Sequence, residues 1–148
     1  MGLFDKVFKS SAPENVKLTQ QESFAAIALA IAGADGCVAQ SEWDGIVTYI
    51  RRLSIYDNFS GPAFDKLFDK LFTMLKKSGP AALVDAAKDG IGDDLKMTAF
   101  ACAVDIALAD GVLEEEEKDI INQLAEALEV PENMAISIIE VMMIKNKM

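Results

Sequence analysis

Ala34-Asp35-Gly36-Cys37-Val38-Ala39-Gln40-Ser41-Glu42 and Ala109-Asp110-Gly111-Val112-Leu113-Glu114-Glu115-Glu116-Glu117 are two copies of one pattern. Each runs Asp-Gly, one residue, a large apolar residue, three residues, Glu. The offset of 75 residues continues outside the turn: Ala26, Ala28, Ile31, Ala32, Asp44 and Leu53 meet identical residues at Ala101, Ala103, Ile106, Ala107, Asp119 and Leu128. Asp-Gly between two helical patterns is a tight connection, because glycine accepts backbone angles that other residues avoid. A helix–turn–helix unit repeated at about 24–53 and 99–128 therefore predicts an all-α fold. We expect a single-domain helical bundle of about seven to eight helices whose two halves are related by a pseudo-twofold axis.

The flanking sequence extends this reading. Thr19-Gln20-Gln21-Glu22 is a capping box, in which Thr19 and Glu22 satisfy each other's backbone amides and open a helix. That helix is Ala- and Ile-rich on all faces through Ala34, the composition of a buried helix. Gly36 is the expected residue at its end. A second helix is predicted from about Ala39 to Leu53, then a loop over 54–61. Pro62 suits the first helical position of a third helix. In it Phe64, Leu67, Phe68, Leu71, Phe72 and Leu75 form an apolar stripe at three- and four-residue spacing. Lys76 and Lys77 favour its C-terminal end, and Gly79-Pro80 stops it. A short helix over 81–88 follows, then one capped by Asp93 or Asp94 that runs to Ala109, one over 114–128, and a last one opened by Pro131. Residues 1–18 form an N-terminal segment and linker: Leu3, Phe4, Val7 and Phe8 share one side of residues 2–9, and Ser10 to Asn15 is polar with Pro13. Residues 19–148 form the helical domain.

Composition excludes several function classes. The 148 residues carry a formal net charge of −10 and no histidine. An acidic surface disfavours nucleic acid and suits cations or a basic partner. Without imidazole there is neither histidine acid–base catalysis nor histidine metal ligation. Hard, oxygen-preferring ions fit the remaining donors better than metals that prefer nitrogen and sulfur. Cys37 and Cys102 form no disulfide framework; their repeat partners Val112 and Ile27 are apolar, which reads both as small buried hydrophobes in a reducing compartment. Charged residues and glycines interrupt every apolar stretch before 18 residues, and the start lacks the layout of a signal peptide. A cytoplasmic location is the expectation. No nucleophile–base pair or phosphate loop supports catalysis, so the chain is read as non-enzymatic.

The repeated carboxylates admit two readings. As structural devices, Asp35 and Asp110 accept from turn amides, and Glu42 and Glu117 serve the first turn of the following helix. As a site, the two turns present acids to one face, with Glu114, Glu115, Glu116 and Asp119 adding charge in the second copy. The spacing resembles part of an EF-hand loop, but an EF-hand would need oxygen ligands at Ile31 and Gly33, or at Ile106 and Leu108; it is rejected. Asp105 stands in an apolar run where its repeat partner is Ala30. A carboxylate there is at least partly buried and requires a partner. Arg51 or Arg52 is the expected structural partner, and a metal shared with the Asp110 turn is the functional one. The candidate metal ligands are thus Asp35, Glu42, Asp105, Asp110 and Glu117, with calcium or magnesium as the ion.

The opening Met1-Gly2-Leu3-Phe4-Asp5-Lys6-Val7, the paired Ala-Asp-Gly turns with Glu42 and Glu117, and the Pro131 segment together resemble the TerB family of tellurite resistance proteins. The resemblance covers nearly the whole chain. It implies an all-helical cytoplasmic protein of two related halves, at the inner membrane surface or free of it, acting in tellurite and chemical-stress resistance without established catalysis. It also implies divalent-cation binding through Asp35, Glu42, Asp110 and Glu117, beside an integral membrane protein of the same system. The first copy departs from this pattern, with Ala39, Gln40 and Ser41 where the second is acidic. Residues 2–9, with Lys6 and Lys9, can contact a membrane surface peripherally or dock on protein.

Overall fold

The computed structural model describes residues 18–35, 38–109 and 113–147. The expectations for residues 2–9, Gly36, Cys37 and Asp110 fall outside these residues. Within them the chain forms seven α-helices and no strand.

The first helix, α1 (Gln20–Ala32), begins as its capping box dictates. Thr19 Oγ1 accepts from Glu22 N at 3.1 Å, and Glu22 Oε1 accepts from Thr19 N at 2.9 Å. It ends at Ala32, two residues before the expected end. Gly33 donates its N–H to Leu29 O at 2.8 Å and lies against Leu75, where a Cβ would come within 2.9 Å of the Leu75 side chain. Glycine both weakens the helix here and permits this approach. Helix α2 (Gln40–Arg51) follows the first turn, and a 3-10 turn at Ser54–Tyr56 orders part of the expected loop. Helix α3 (Gly61–Ser78) starts where Ser60 Oγ accepts from Ala63 N and ends at Gly79, whose φ of 84° only glycine adopts readily. Helix α4 (Pro80–Lys88) follows directly.

Helix α5 (Lys96–Leu108) corrects the capping expectation. Asp93 and Asp94 lie in a 3-10 turn, Asp93–Leu95, and neither caps α5; Asp93 instead pairs with Lys96 at 3.1 Å. Helix α6 (Glu115–Ala127) follows the second turn, and α7 (Glu132–Lys145) completes the chain.

Helix α1 is the axis of the bundle. Every residue from Ser23 to Ile31 is buried, and α2, α3, α4, α5 and α6 all pack on it. The small Ala25, Ala26, Ala28 and Ala30 side chains let those neighbours approach closely. Gly90, after α4, shows how close: a Cβ there would lie 2.0 Å from Ser23 Oγ and 2.6 Å from Leu18 O. The Phe-rich α3 covers one side, as expected, and receives Trp43 of α2 against Phe68 and Phe72 at ring-centroid distances of 4.3 and 4.6 Å. Helix α5, the repeat partner of α1, is also largely buried, but it packs on α1, α6 and α7. The two helix–turn–helix units are thus built alike and surrounded differently.

Candidate functional site

Acids of the two repeats meet. Asp35, shortly after α1, and Glu42, in the first turn of α2, line one cavity with Glu114 and Glu117 at the start of α6. Ile31, Ala32 and Ala34 form its apolar wall, and its volume is about 100 Å³. Glu114 and Glu117 share a face because they lie three positions apart, about one helical turn. Of the remaining acids in the second copy, Glu115 pairs with Lys118 at 3.0 Å, while Glu116 and Asp119 are exposed.

Each repeated Glu has a structural task as well. Glu42 Oε1 accepts from Ala39 N at 3.2 Å, and Glu117 Oε1 accepts from Glu114 N at 3.1 Å. The first is half a capping box: Glu42 reaches back to the N-cap amide, while Ala39 has no side-chain oxygen to return the bond. Asp35 and Glu117 engage further neighbours. The cap bonds place both Glu carboxylates at helix N-termini, where the helix dipole favours negative charge. Among the described residues, no three Asp, Glu or Cys side chains come close enough to hold a bare metal ion between them. The cavity is nonetheless far larger than the ~10–15 Å³ that one water needs, so it admits an ion together with waters.

Asp105 does not line this cavity, and its partner is not an arginine. Arg51 lies 5.3 Å from the centroid of the Phe64 ring, and Arg52 is exposed. The Asp105 carboxylate instead accepts from three donors: Tyr49 Oη at 3.1 Å on Oδ2, and Lys145 Nζ at 3.1 Å and Asn146 Nδ2 at 2.8 Å on Oδ1. Burial acts to raise its pKa, but the bonds from Asn146, Lys145 and Tyr49 together hold it below the ordinary aspartate value. Lys145 and Asn146 come from the end of α7, forty residues downstream. The basic end of that helix was legible in the sequence as a dipole partner; that it reaches α5 was not.

Two other features bear on chemistry. Cys102 is half-buried beside Tyr49, and burial raises its thiol pKa, so it stays protonated and weakly nucleophilic near neutral pH. A more open cleft of about 350 Å³ between α2 and α3 is lined by Trp43, Asp44, Arg51, Phe64, Asp65 and Phe68, among others. It mixes both charge signs, whereas the smaller cavity presents carboxylates alone.

No described helix is long and apolar enough to cross a membrane. The family model for tellurite resistance protein TerB matches residues 21–139, which spans α1 through most of α7. No curated protein and no solved structure matches the chain.

Proposed function

Since this chain belongs to the TerB family of tellurite resistance proteins, we propose that it is a non-enzymatic, cation-responsive interaction module of that resistance. Asp35, Glu42, Glu114 and Glu117 hold a hard divalent cation, calcium or magnesium, with part of its water shell. One observation carries the reading: four carboxylates from the two copies of a pattern repeated at a 75-residue offset line a single cavity. An all-oxygen donor set without histidine or cysteine selects hard ions. The ion screens repulsion among the acids, and it shares Asp35, Glu42 and Glu117 with their existing partners rather than displacing them. Binding changes the charge of a surface that meets a basic partner, an integral membrane protein of the same system.

Calorimetry on dialysed protein tests this. Calcium or magnesium is expected to bind saturably, with affinity falling about tenfold or more in Asp35→Asn and Glu114→Gln, since each removes a full charge from the site. Absence of heat, together with an unchanged melting temperature at millimolar metal, would leave only the second reading.

That second reading is a structural adaptor whose acids finish helix ends, and the two cap bonds of Glu42 and Glu117 favour it. It predicts equal loss of stability in the Glu variants with and without metal.

A further inference from the structure

The open cleft between α2 and α3 is built from two stripes. Trp43, Val47 and Arg51 recur at four-residue spacing on α2, and Phe64 and Phe68 do so on α3. Each helix thus turns one face to the same opening. One end is closed by Trp43, whose ring meets Phe68 and Phe72. At the other end the Arg51 guanidinium lies over the Phe64 ring, 5.3 Å from its centroid. The floor is aromatic: Phe64 and Phe68 are buried, with their rings stacked at 6.2 Å, and Trp43 is half-buried. The rim is charged: Asp44 from α2 and Asp65 from α3 are exposed. The volume of about 350 Å³ falls within the ~300–1,000 Å³ of ligand sites.

We propose that this cleft binds an arginine side chain from a basic segment of a protein partner. Three observations support that occupant. The carboxylates are available. Asp44 accepts from Gln40 Nε2 at 3.0 Å, a bond within its own helix, and Asp65 has no hydrogen bond or ion pair among the described residues. Arg51 lines the same cleft yet pairs with neither acid. The floor already holds a guanidinium, because Arg51 rests on Phe64 and shows that a flat cation packs on these rings. The sign is right as well. Two carboxylates against one guanidinium leave the lining negative, on a chain of net charge −10, which draws a cation and repels an acidic ligand. Arginine suits the cleft better than lysine, since its plane stacks on an aromatic ring while its edge donates to a carboxylate.

The inference goes beyond the cation reading and does not rest on a bound metal. The two sites share no residue.

Trp43 is the only tryptophan of the chain, so its fluorescence reports on the cleft directly. The whole chain is titrated, in chelator, with an acetylated tetra-arginine amide and with the matching tetra-lysine, tetra-citrulline and tetra-glutamate peptides. The arginine peptide is expected to give a saturable change with half-effect below about 1 mM. Lysine should bind at least about threefold more weakly, and citrulline, which keeps the shape without the charge, should not bind. Asp44→Asn with Asp65→Asn is expected to weaken binding about tenfold. Asp35→Asn with Glu114→Gln removes the same charge from the acidic cavity and should change it less than about twofold. Arg51→Gln clears the Phe64 ring and removes a competing cation, so it should tighten binding about threefold; damage to the fold cannot produce such a gain. No saturable change would overturn the proposal. Equal weakening by the two charge-matched pairs would overturn it in favour of attraction to the overall charge. Equal affinity for lysine would overturn the guanidinium assignment. A response to tetra-glutamate that Arg51→Gln abolishes would overturn it in favour of an acidic ligand.

Discussion

Helices α1 and α5 occupy the same place in the repeat, yet one is enclosed by apolar contact and the other is closed by charge. Ala30 of α1 is fully buried. Its counterpart 75 residues on is Asp105, which accepts from Tyr49, Lys145 and Asn146. One methyl group lets α1 sit inside a ring of five helices. One carboxylate requires α5 to keep a polar opening, which the end of α7 fills. The duplicated pattern thus governs how the helix after each turn starts, while a single position governs what can pack beside it.

Exchanging the two residues breaks this comparison most severely in one direction. Ala30→Asp places a carboxylate at a fully buried position of α1, among apolar neighbours on the same helix. The result combines overpacking with an unpaired buried group and is expected to cost about 4 kcal/mol or more. That is much of the stability of a domain this size. Thermal melting followed by circular dichroism checks it; a loss below about 1 kcal/mol would mean that α1 is not enclosed as described.

Neutralising Asp105 is milder. Asp105→Asn keeps an acceptor but removes the charge that Lys145 and Asn146 meet, at an expected loss of about 1–2 kcal/mol. Lys145 is 58% exposed and returns to water, which limits the effect. The sign of its pH dependence follows from the lowered pKa of Asp105. A carboxylate held below its unfolded value of 3.8 stabilises the fold fully above that pH. The contribution is lost as pH falls through the lower folded value. The stability gap between wild type and Asp105→Asn should therefore be constant near neutrality and close below pH 3.8, as measured by denaturant titrations at stepped pH. A gap that instead widened on acidification would remove the charge-based account of how α7 is held.

Much of this architecture was legible because it is local. Thr19 and Glu22 lie three residues apart and mark the start of α1 whatever surrounds them. The stripe from Phe64 to Leu75 selects the face that α3 buries, and Gly79-Pro80 ends it. That Asp35, Glu42, Glu114 and Glu117 line one cavity was not fixed by the repeat, which left open which acids would meet. Contacts made by long reach were hidden. Arg51 and Arg52 were the nearest sensible partners for Asp105 by charge, but the α2 register sends Arg51 to Phe64 and presents Tyr49 to Asp105 instead. Lys145 and Asn146 are far away in sequence, and no pattern within α7 names its neighbour. Asp93 and Asp94 looked like caps because the cap signal is compositional; the backbone uses them for a 3-10 turn, and Leu95 takes the cap position.

The smallest effect lies in the turns, where the copies look most alike. Glu42→Ala and Glu117→Ala each remove the acceptor for one N-cap amide, Ala39 N–H or Glu114 N–H. Both amides are near solvent, so water replaces the bond and each loss should stay at or below about 1 kcal/mol. The copies should still differ by a few tenths. Both Glu carboxylates line the acidic cavity, but Glu117 also follows Glu114, Glu115 and Glu116 whereas Glu42 follows Ala39, Gln40 and Ser41, so removing Glu117 relieves more like-charge repulsion. Without metal, Glu42→Ala is therefore expected to be the more destabilised. With millimolar calcium both losses should grow and the gap between them should narrow, because a bound ion cancels the repulsion and each carboxylate then contributes attraction. Paired melts with calcium and with chelator read the change directly. Losses that are the same in both conditions would reduce both repeated Glu residues to a structural role.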